Sequence, residues 1–393
     1  MKKIAVILGT RPEAIKYGLV INGLKEDGRF DVIVISTGQH KEMLDDTLAV
    51  FGIKPDYNLA VMQPGQTLAQ VTARITDGLA KLLPEIAPDA LTVHGDTGTT
   101  LAAALSGFHH QIPVIHIEAG LRSGNNNSPF PEEGNRKLVA QIASLHLAPT
   151  PGNSANLIRE GIQEKNIVIT GNTVVDSLLW AVNSQYPSTN KIVDDLKDDP
   201  RKIILASVHR REAWAKIPDI ARTIREISLR DDVRVVIPMH KNPVVRNALK
   251  VELSGLQNVD LIEPLNYLDF CHVMKRADII LSDSSGAEEE GPTLGKPTLI
   301  LRSLTERPEA TYSGSAILVG SSGDLIISHV NQILDNLRSF RSSNVKTDHY
   351  GDGLATSRVI GAIANYFGLG PAVQPFFSGC EMSQGNDLAA NTV

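Results

Sequence analysis

The sequence predicts an α/β protein made of two successive domains, each built on a doubly wound parallel sheet. Three observations carry this. Short β-branched runs ending in Gly, Thr or His alternate with helix-length amphipathic segments, the signature of β-α-β units. The alternation weakens once, in a polar stretch at 183–200 with two prolines and a run of acids, and then resumes. At 393 residues the chain also exceeds one ordinary core, since a domain commonly takes about 100 to 200 residues.

In the first half the strands are expected at 4–8 (IAVIL), 31–37 (DVIVIST), 90–95 (ALTVHG), 113–118 (PVIHIE) and 145–150 (LHLAPT). Helices are expected between them, for example over 13–26 and 99–108. The second half resumes with RKIILASVH (201–209), RVVIPMH (234–240), DIILSDS (278–284) and PTLILR (297–302). The boundary falls within 172–200, giving an N-terminal domain of 1–175 and a C-terminal domain of 176–368. Helical patterns at 322–339 and 353–368 close the fold, and the last is a candidate to cross back to the first domain. The tail 369–393, rich in Gly, Ser, Pro and Asn without periodicity, is expected to be disordered.

Composition excludes several function classes. With 44 acidic against 38 basic side chains, no global positive field is available for nucleic acid or an anionic membrane. Two cysteines, Cys271 and Cys380, lie far apart and without metal-ligand spacing. No stretch approaches the roughly 18 to 20 apolar residues of a transmembrane helix. A soluble cytoplasmic protein is expected.

Two strand-end clusters stand about 165 residues apart: HIEAGLRS (116–123) and SDSSGAEEEGPTLGKP (282–297). Ligands of open parallel sheets bind beyond the carboxyl ends of strands, so two such clusters in two α/β domains predict a ligand held in a cleft.

The first turn, GTRPEAIK (9–16), offers a tight backbone, a helix start, Arg11 and Lys16. It reads either as a phosphate site or as an ordinary βα turn with solvated charges. It is not the G-x-G-x-x-G dinucleotide fingerprint. HGDTGTT (94–100) puts Asp96 at a strand end, as a helix cap or as an acid/base group. Glu118 follows the next strand, and PFPEEGNR (129–136) adds Glu132, Glu133 and Arg136. Clustered carboxylates push one another's pKa values apart, which suits proton transfer; an acidic surface rim is the alternative.

In the second half, SVHRRE (207–212) sets His209 beside two arginines, as a diphosphate clamp, a proton carrier or a surface basic patch. DSSGAEEE (283–290) places Ser284, Ser285 and Gly286 at a helix start, where an anion finds hydroxyls and amides. Glu290, one helical turn on, could take the two hydroxyls of a ribose. A well-capped helix with acids in its first turn would show the same pattern.

Taken in order, these segments, with TGQH (37–40), GNTVVDSL (171–178), MHKNP (239–243) and RSLTERPE (302–309), resemble the non-hydrolysing UDP-N-acetylglucosamine 2-epimerase family over residues 1–368. The resemblance implies two Rossmann-like domains facing a cleft, GT-B-like, in a homodimer. It implies a UDP-sugar substrate and no cofactor or metal. It places Asp96, Glu118 and Glu132 in the acid/base group and His209 near the departing diphosphate. Arg11, Lys16, Arg136, Ser284 and Gly286 become phosphate or sugar contacts, and Glu290 the ribose ligand. A second UDP-GlcNAc as activator is implied at Gln39, His40 and Gln66. Departures from the family pattern, Ser285 and Glu288 beside the phosphate turn, bear on substrate preference, because an added carboxylate there costs affinity if it faces a diphosphate. Epimerisation of a modified UDP-amino sugar and GT-B glycosyl transfer are the competing activities.

Overall fold

The computed structural model describes residues 1–39, 41–188, 190–337 and 348–377. It divides into two compact units, Met1–Ser177 with Tyr350–Val393, and Leu178–His349.

The first unit holds a seven-stranded parallel sheet: β1 (Lys2–Leu8), β2 (Phe30–Ser36), β3 (Tyr57–Asn58), β4 (Ala90–His94), β5 (Val114–Ile117), β6 (Leu145–Ala148) and β7 (Ile167–Ile169), in the order β3-β2-β1-β4-β5-β6-β7. Its helices are α1 (Arg11–Glu26), α2 (Lys41–Val50), α3 (Leu68–Ile86), α4 (Gly98–His109), α5 (Glu132–Ile142), α6 (Pro151–Arg159) and the start of α7 (Thr173–Asn183). Ile4 through Leu8 are all at most 1 % exposed, which is why β1 reads as a continuous apolar run: helices cover both faces of a parallel sheet. Ile35, Ile75, Leu79, Leu83, Leu91, Val93 and Val139 share one core.

The second unit starts within α7 and continues through α8 (Lys191–Asp195), β8 (Lys202–Ser207), α9 (Ile217–Ile227), β9 (Val233–Pro238), α10 (Pro243–Leu253), β10 (Val259–Ile262), α11 (Tyr267–Arg276), β11 (Ile279–Ser282), α12 (Ala287–Thr293), β12 (Thr298–Ile300), α13 (Pro308–Tyr312), β13 (Ala316–Leu318) and α14 (Gly323–Asp335). The strand order is β10-β9-β8-β11-β12-β13, again all parallel. In α9 the residues Ile217, Ile220, Ala221, Ile224 and Ile227 form one buried stripe at helical spacing, packed with Val235, Ile237 and Leu281.

Both sheets reverse winding once. In the first unit the reversal lies between β1 and β4; in the second it lies between β8 and β11. A crevice opens at such a switch point, beyond the strand ends. Residues 9–11, 95–97, 208–210 and 283–286 therefore occupy the positions where ligands of this fold class bind.

The last helix, α15 (Ala355–Tyr366), belongs to the first unit, so the second unit ends at His349 rather than at 368. The cause is local. Asp176 accepts the Ala355 and Thr356 amides at 3.2 and 2.7 Å, capping α15, and the Asn172 amide donates to the Tyr350 carbonyl at 2.6 Å. Burial pushes the Asp176 carboxyl up, and these donors pull it back. Part of the expected loose tail is also anchored: Phe376 is buried, its amide donates to the Ile169 carbonyl at 2.9 Å, and Arg358 stacks over its ring. Residues 378–393, with Cys380, lie outside the described residues. Among the described residues no helix is long and apolar enough to cross a membrane.

Candidate active site

In the first unit the β1–α1 and β4–α4 turns are tied together by Glu13. One carboxylate oxygen accepts the Gly9 amide, the Thr10 amide and the Thr10 hydroxyl at 2.9, 2.7 and 2.8 Å; the other accepts the Thr97 and Thr100 hydroxyls at 2.8 and 3.2 Å. Burial pushes Glu13 up in pKa, and the donors oppose it. The Gly9 and Thr10 amides, which a phosphate reading needs, are thus already occupied. Gly9 is required by crowding: a Cβ there would lie 2.2 Å from Thr37 Oγ1 and 2.3 Å from Thr99 Oγ1. Arg11 opens α1, partly buried.

Asp96 follows β4 and does not cap α4. Thr97 caps it, accepting the Thr100 amide at 3.1 Å. The Asp96 carboxylate instead meets Arg136, whose Nε and Nη2 lie 2.8 and 2.7 Å from Oδ2. Arg136 also donates to Glu133 at 3.2 Å. Glu133 is fully buried and accepts the Ser123 and Gly124 amides at 3.0 and 3.1 Å. The two glutamates of PFPEEGNR therefore differ: Glu133 fastens the 121–136 loop, while Glu132, first in α5, stays partly exposed.

Glu118 leaves β5 in the left-handed region with φ 62°, a conformation most side chains avoid and which concentrates at functional sites. Its Oε1 accepts Lys16 Nζ and, at 2.9 Å, Asn172 Nδ2. Lys16, expected at a phosphate, is here the counter-ion of Glu118. Two residues on, a Cβ at Gly120 would meet the Asn153 carbonyl at 2.3 Å, so only glycine fits the bend. Behind this wall His94, His116 and His146 sit buried on β4, β5 and β6. Burial pushes them down to about 3, 4 and 3 respectively. They are neutral at any ordinary pH.

In the second unit Asp283, fully buried after β11, accepts the His209 and Arg210 amides at 2.9 and 2.8 Å, and its other oxygen lies 3.1 Å from His209 Nδ1. It fixes the turn after β8 and orients a half-exposed imidazole that stacks on His240 at 6.2 Å between centroids. Ser282 Oγ accepts the Ser284 amide at 3.0 Å, and Ser284 Oγ accepts the Gly286 amide at 3.3 Å. Glu290 folds back so that a Cβ on Gly286 would lie 3.2 Å from its Oε2. Ser284, Gly286 and Glu290 are therefore one cluster, as the spacing predicts.

Glu288 faces away from that turn. It is 1 % exposed and bonds Arg302 at 3.2 Å and the Thr305 hydroxyl. Burial pushes its carboxyl up, with Arg307, Thr305 and Arg302 opposing. Gln39 accepts from Thr99 at 3.0 Å, and Gln66 folds onto its own loop, donating to the Val61 carbonyl at 2.9 Å. His40 lies outside the described residues. Sequence reasoning missed Glu13, Asn172 and Asp283 as organisers; all three stand inside quoted motifs, but their partners are set by the fold.

The sequence profile of the UDP-N-acetylglucosamine 2-epimerase family matches residues 22–364. A UDP-N-acetylglucosamine 2-epimerase from Yersinia pestis is 43% identical over 372 residues, covering 93% of this chain and 99% of the relative. Among solved structures, a UDP-GlcNAc 2-epimerase from Neisseria meningitidis bound to UDP-GlcNAc is 41% identical, with TM-score 0.87 over 93% of this chain and 100% of its own. The S. aureus MnaA structure with UDP is 39% identical, with TM-score 0.88 over 95% and 100%. With this agreement in sequence over nearly the whole length and in fold, the chain belongs to the UDP-N-acetylglucosamine 2-epimerase family.

Proposed function

We propose that this protein interconverts UDP-N-acetylglucosamine and UDP-N-acetylmannosamine without hydrolysis, supplying precursors of surface polysaccharide in the cytoplasm. The observation that carries the reading is the pairing in the first unit. Two strand-end carboxylates, Asp96 and Glu118, each stand against their own cation, Arg136 and Lys16.

The chemistry asks for such a set. The sugar C2 proton is weakly acidic and needs a positioned base, and inversion needs a proton donor on the opposite face. Asp96, Glu118 and Glu132 fill these roles. Loss of the C2 proton breaks the C2–H bond, its electrons form the C1–C2 double bond, and the C1–O bond electrons leave with UDP. Protonation of C2 from the other face and return of the UDP oxygen to C1 complete the cycle. The departing diphosphate needs positioned hydrogen-bond donors, which His209 and the Ser284–Gly286 turn supply, Glu290 taking the ribose. Arg11, Lys16 and Arg136 contribute cationic contacts on the sugar and phosphate side. The enzyme acts as a homodimer, and a second UDP-GlcNAc activates it at Gln39, His40 and Gln66.

The test is NMR of the protein with UDP-GlcNAc in D2O. UDP-ManNAc and deuterium at C2 are expected. No exchange at C2 would sink the reading, and UDP accumulating with free ManNAc would make the enzyme hydrolysing.

A further inference from the structure

His94, at the end of β4, is 1 % exposed and touches the one acid/base group that carries backbone strain. Its Nδ1 lies 3.5 Å from Glu118 Oε2, and its Nε2 lies 3.5 Å from Thr173 Oγ1. Tyr17 meets the imidazole edge-on at 5.2 Å between centroids while its own hydroxyl donates to Thr92. It walls the ring in without bonding it. Lys16 and Asn172 both reach the other Glu118 oxygen, Oε1.

We propose that His94 is a positioning residue for Glu118, an uncharged Nδ1–H donor that fixes the direction of Oε2 without cancelling its charge. The proposal rests on Glu118 serving in the proton transfer described above. The tautomer follows from the partners: Thr173 can donate its hydroxyl proton to Nε2, which leaves the ring proton on Nδ1, toward the carboxylate. An imidazolium there would set a second cation, on Oε2, against a carboxylate that Lys16 already pairs on Oε1, and weaken Glu118 further as a base. Burial first, then Lys16 and His116, keep the ring neutral down to about 3, with Glu118 opposing. At rest the contact is long, as hydrogen bonds of unliganded active sites commonly are before they tighten around substrate.

Three variants test this: His94→Leu, which removes the donor; His94→Gln, which keeps an amide donor; and Thr173→Val, which keeps His94 but removes its other partner. Turnover and C2 deuterium exchange should fall about tenfold to a hundredfold in H94L, the worth of a hydrogen bond to a charged group, with KM unchanged. The acid limb of kcat against pH should move to higher pH, because the ionised carboxylate loses a donor. H94Q should stay within about threefold of wild type and keep its acid limb, as a retained donor requires. T173V should move the limb in the same direction as H94L, by less, and it decides the matter if H94L does not fold. An unmoved acid limb in T173V and any folded H94L, or an H94Q protein as impaired as H94L, would overturn the proposal. A wild-type protein without C2 exchange would instead defeat the functional reading, and the inference with it.

Discussion

Arg136 reaches Asp96 with two guanidinium nitrogens on a single carboxylate oxygen, Nε at 2.8 Å and Nη2 at 2.7 Å. The second carboxylate oxygen thus points elsewhere than the guanidinium fork, and the pair holds the carboxyl group in one direction. Asp96→Asn keeps the shape and removes the charge. Turnover should fall by about a thousandfold, within the range general acid/base groups supply, while UDP affinity measured by calorimetry stays within about twofold. Full activity in this variant would refute the role given to Asp96.

Gly9→Ala tests the crowded first turn. The new methyl would stand 2.2 and 2.3 Å from the Thr37 and Thr99 hydroxyls, so something must shift. Overpacking of this kind costs about 1–3 kcal/mol, and the midpoint of thermal unfolding should drop by several degrees. An unchanged midpoint would show that the two turns move apart at no cost.

The buried histidines give stability a definite pH dependence. In the unfolded chain His146 takes up a proton below its ordinary value of 6.5, whereas in the folded protein burial delays this to about 3. Its contribution is therefore intact above 6.5 and is lost as pH falls from 6.5 toward 3. Between pH 7 and 5 this single site should remove about 2 kcal/mol. His146→Asn should lose that much less than wild type over the same interval in urea unfolding. Parallel losses in the two proteins would contradict it. The comparison of variants isolates the histidine from Glu13, Asp176 and Glu288, whose raised values act in the opposite direction as pH rises through them.

Glu288 interrupts the family pattern without entering the 283–286 turn, because Arg302 and Thr305 hold it in the interior. Glu288→Gln should leave UDP affinity within about twofold, since the side chain bonds Arg302 and Thr305 rather than joining Ser284, Gly286 and Glu290. Glu288→Ala leaves Arg302 short of a buried partner and should cost about 3 kcal/mol in unfolding measurements. A large gain in UDP affinity in the Gln variant would place the carboxylate at the diphosphate after all.

The strands that surround the switch points were legible because β-branched runs of four to seven residues announce themselves. Strands β3, β7, β10 and β13, of two to four residues, are too short to show a period; β12 is as short but lies in the longer apolar run PTLILR. Asp96 and Glu118 could be picked out as carboxylates just past apolar runs. Their counter-ions could not: Arg136 and Lys16 suggested phosphate contacts, and only the fold brings them onto the two acids. Glu13 forms a local capping box with Thr10. Its second oxygen, joined to Thr97 and Thr100 on another turn, is a tertiary fact that no local spacing encodes. His94 read as an ordinary strand end for the same reason.

The return of α15 to α1 makes the second unit an insertion within the first. Residues of Leu178–His349 are contiguous, whereas the first unit is assembled from both ends of the chain. A ribosome therefore finishes every strand of the seven-stranded sheet long before it delivers the helix that covers part of α1, where Ile360 fills the space beside Gly23. The second unit can complete its core during synthesis, but the first must wait with an open flank until α15 has been made. The order of folding along this chain should run middle before beginning.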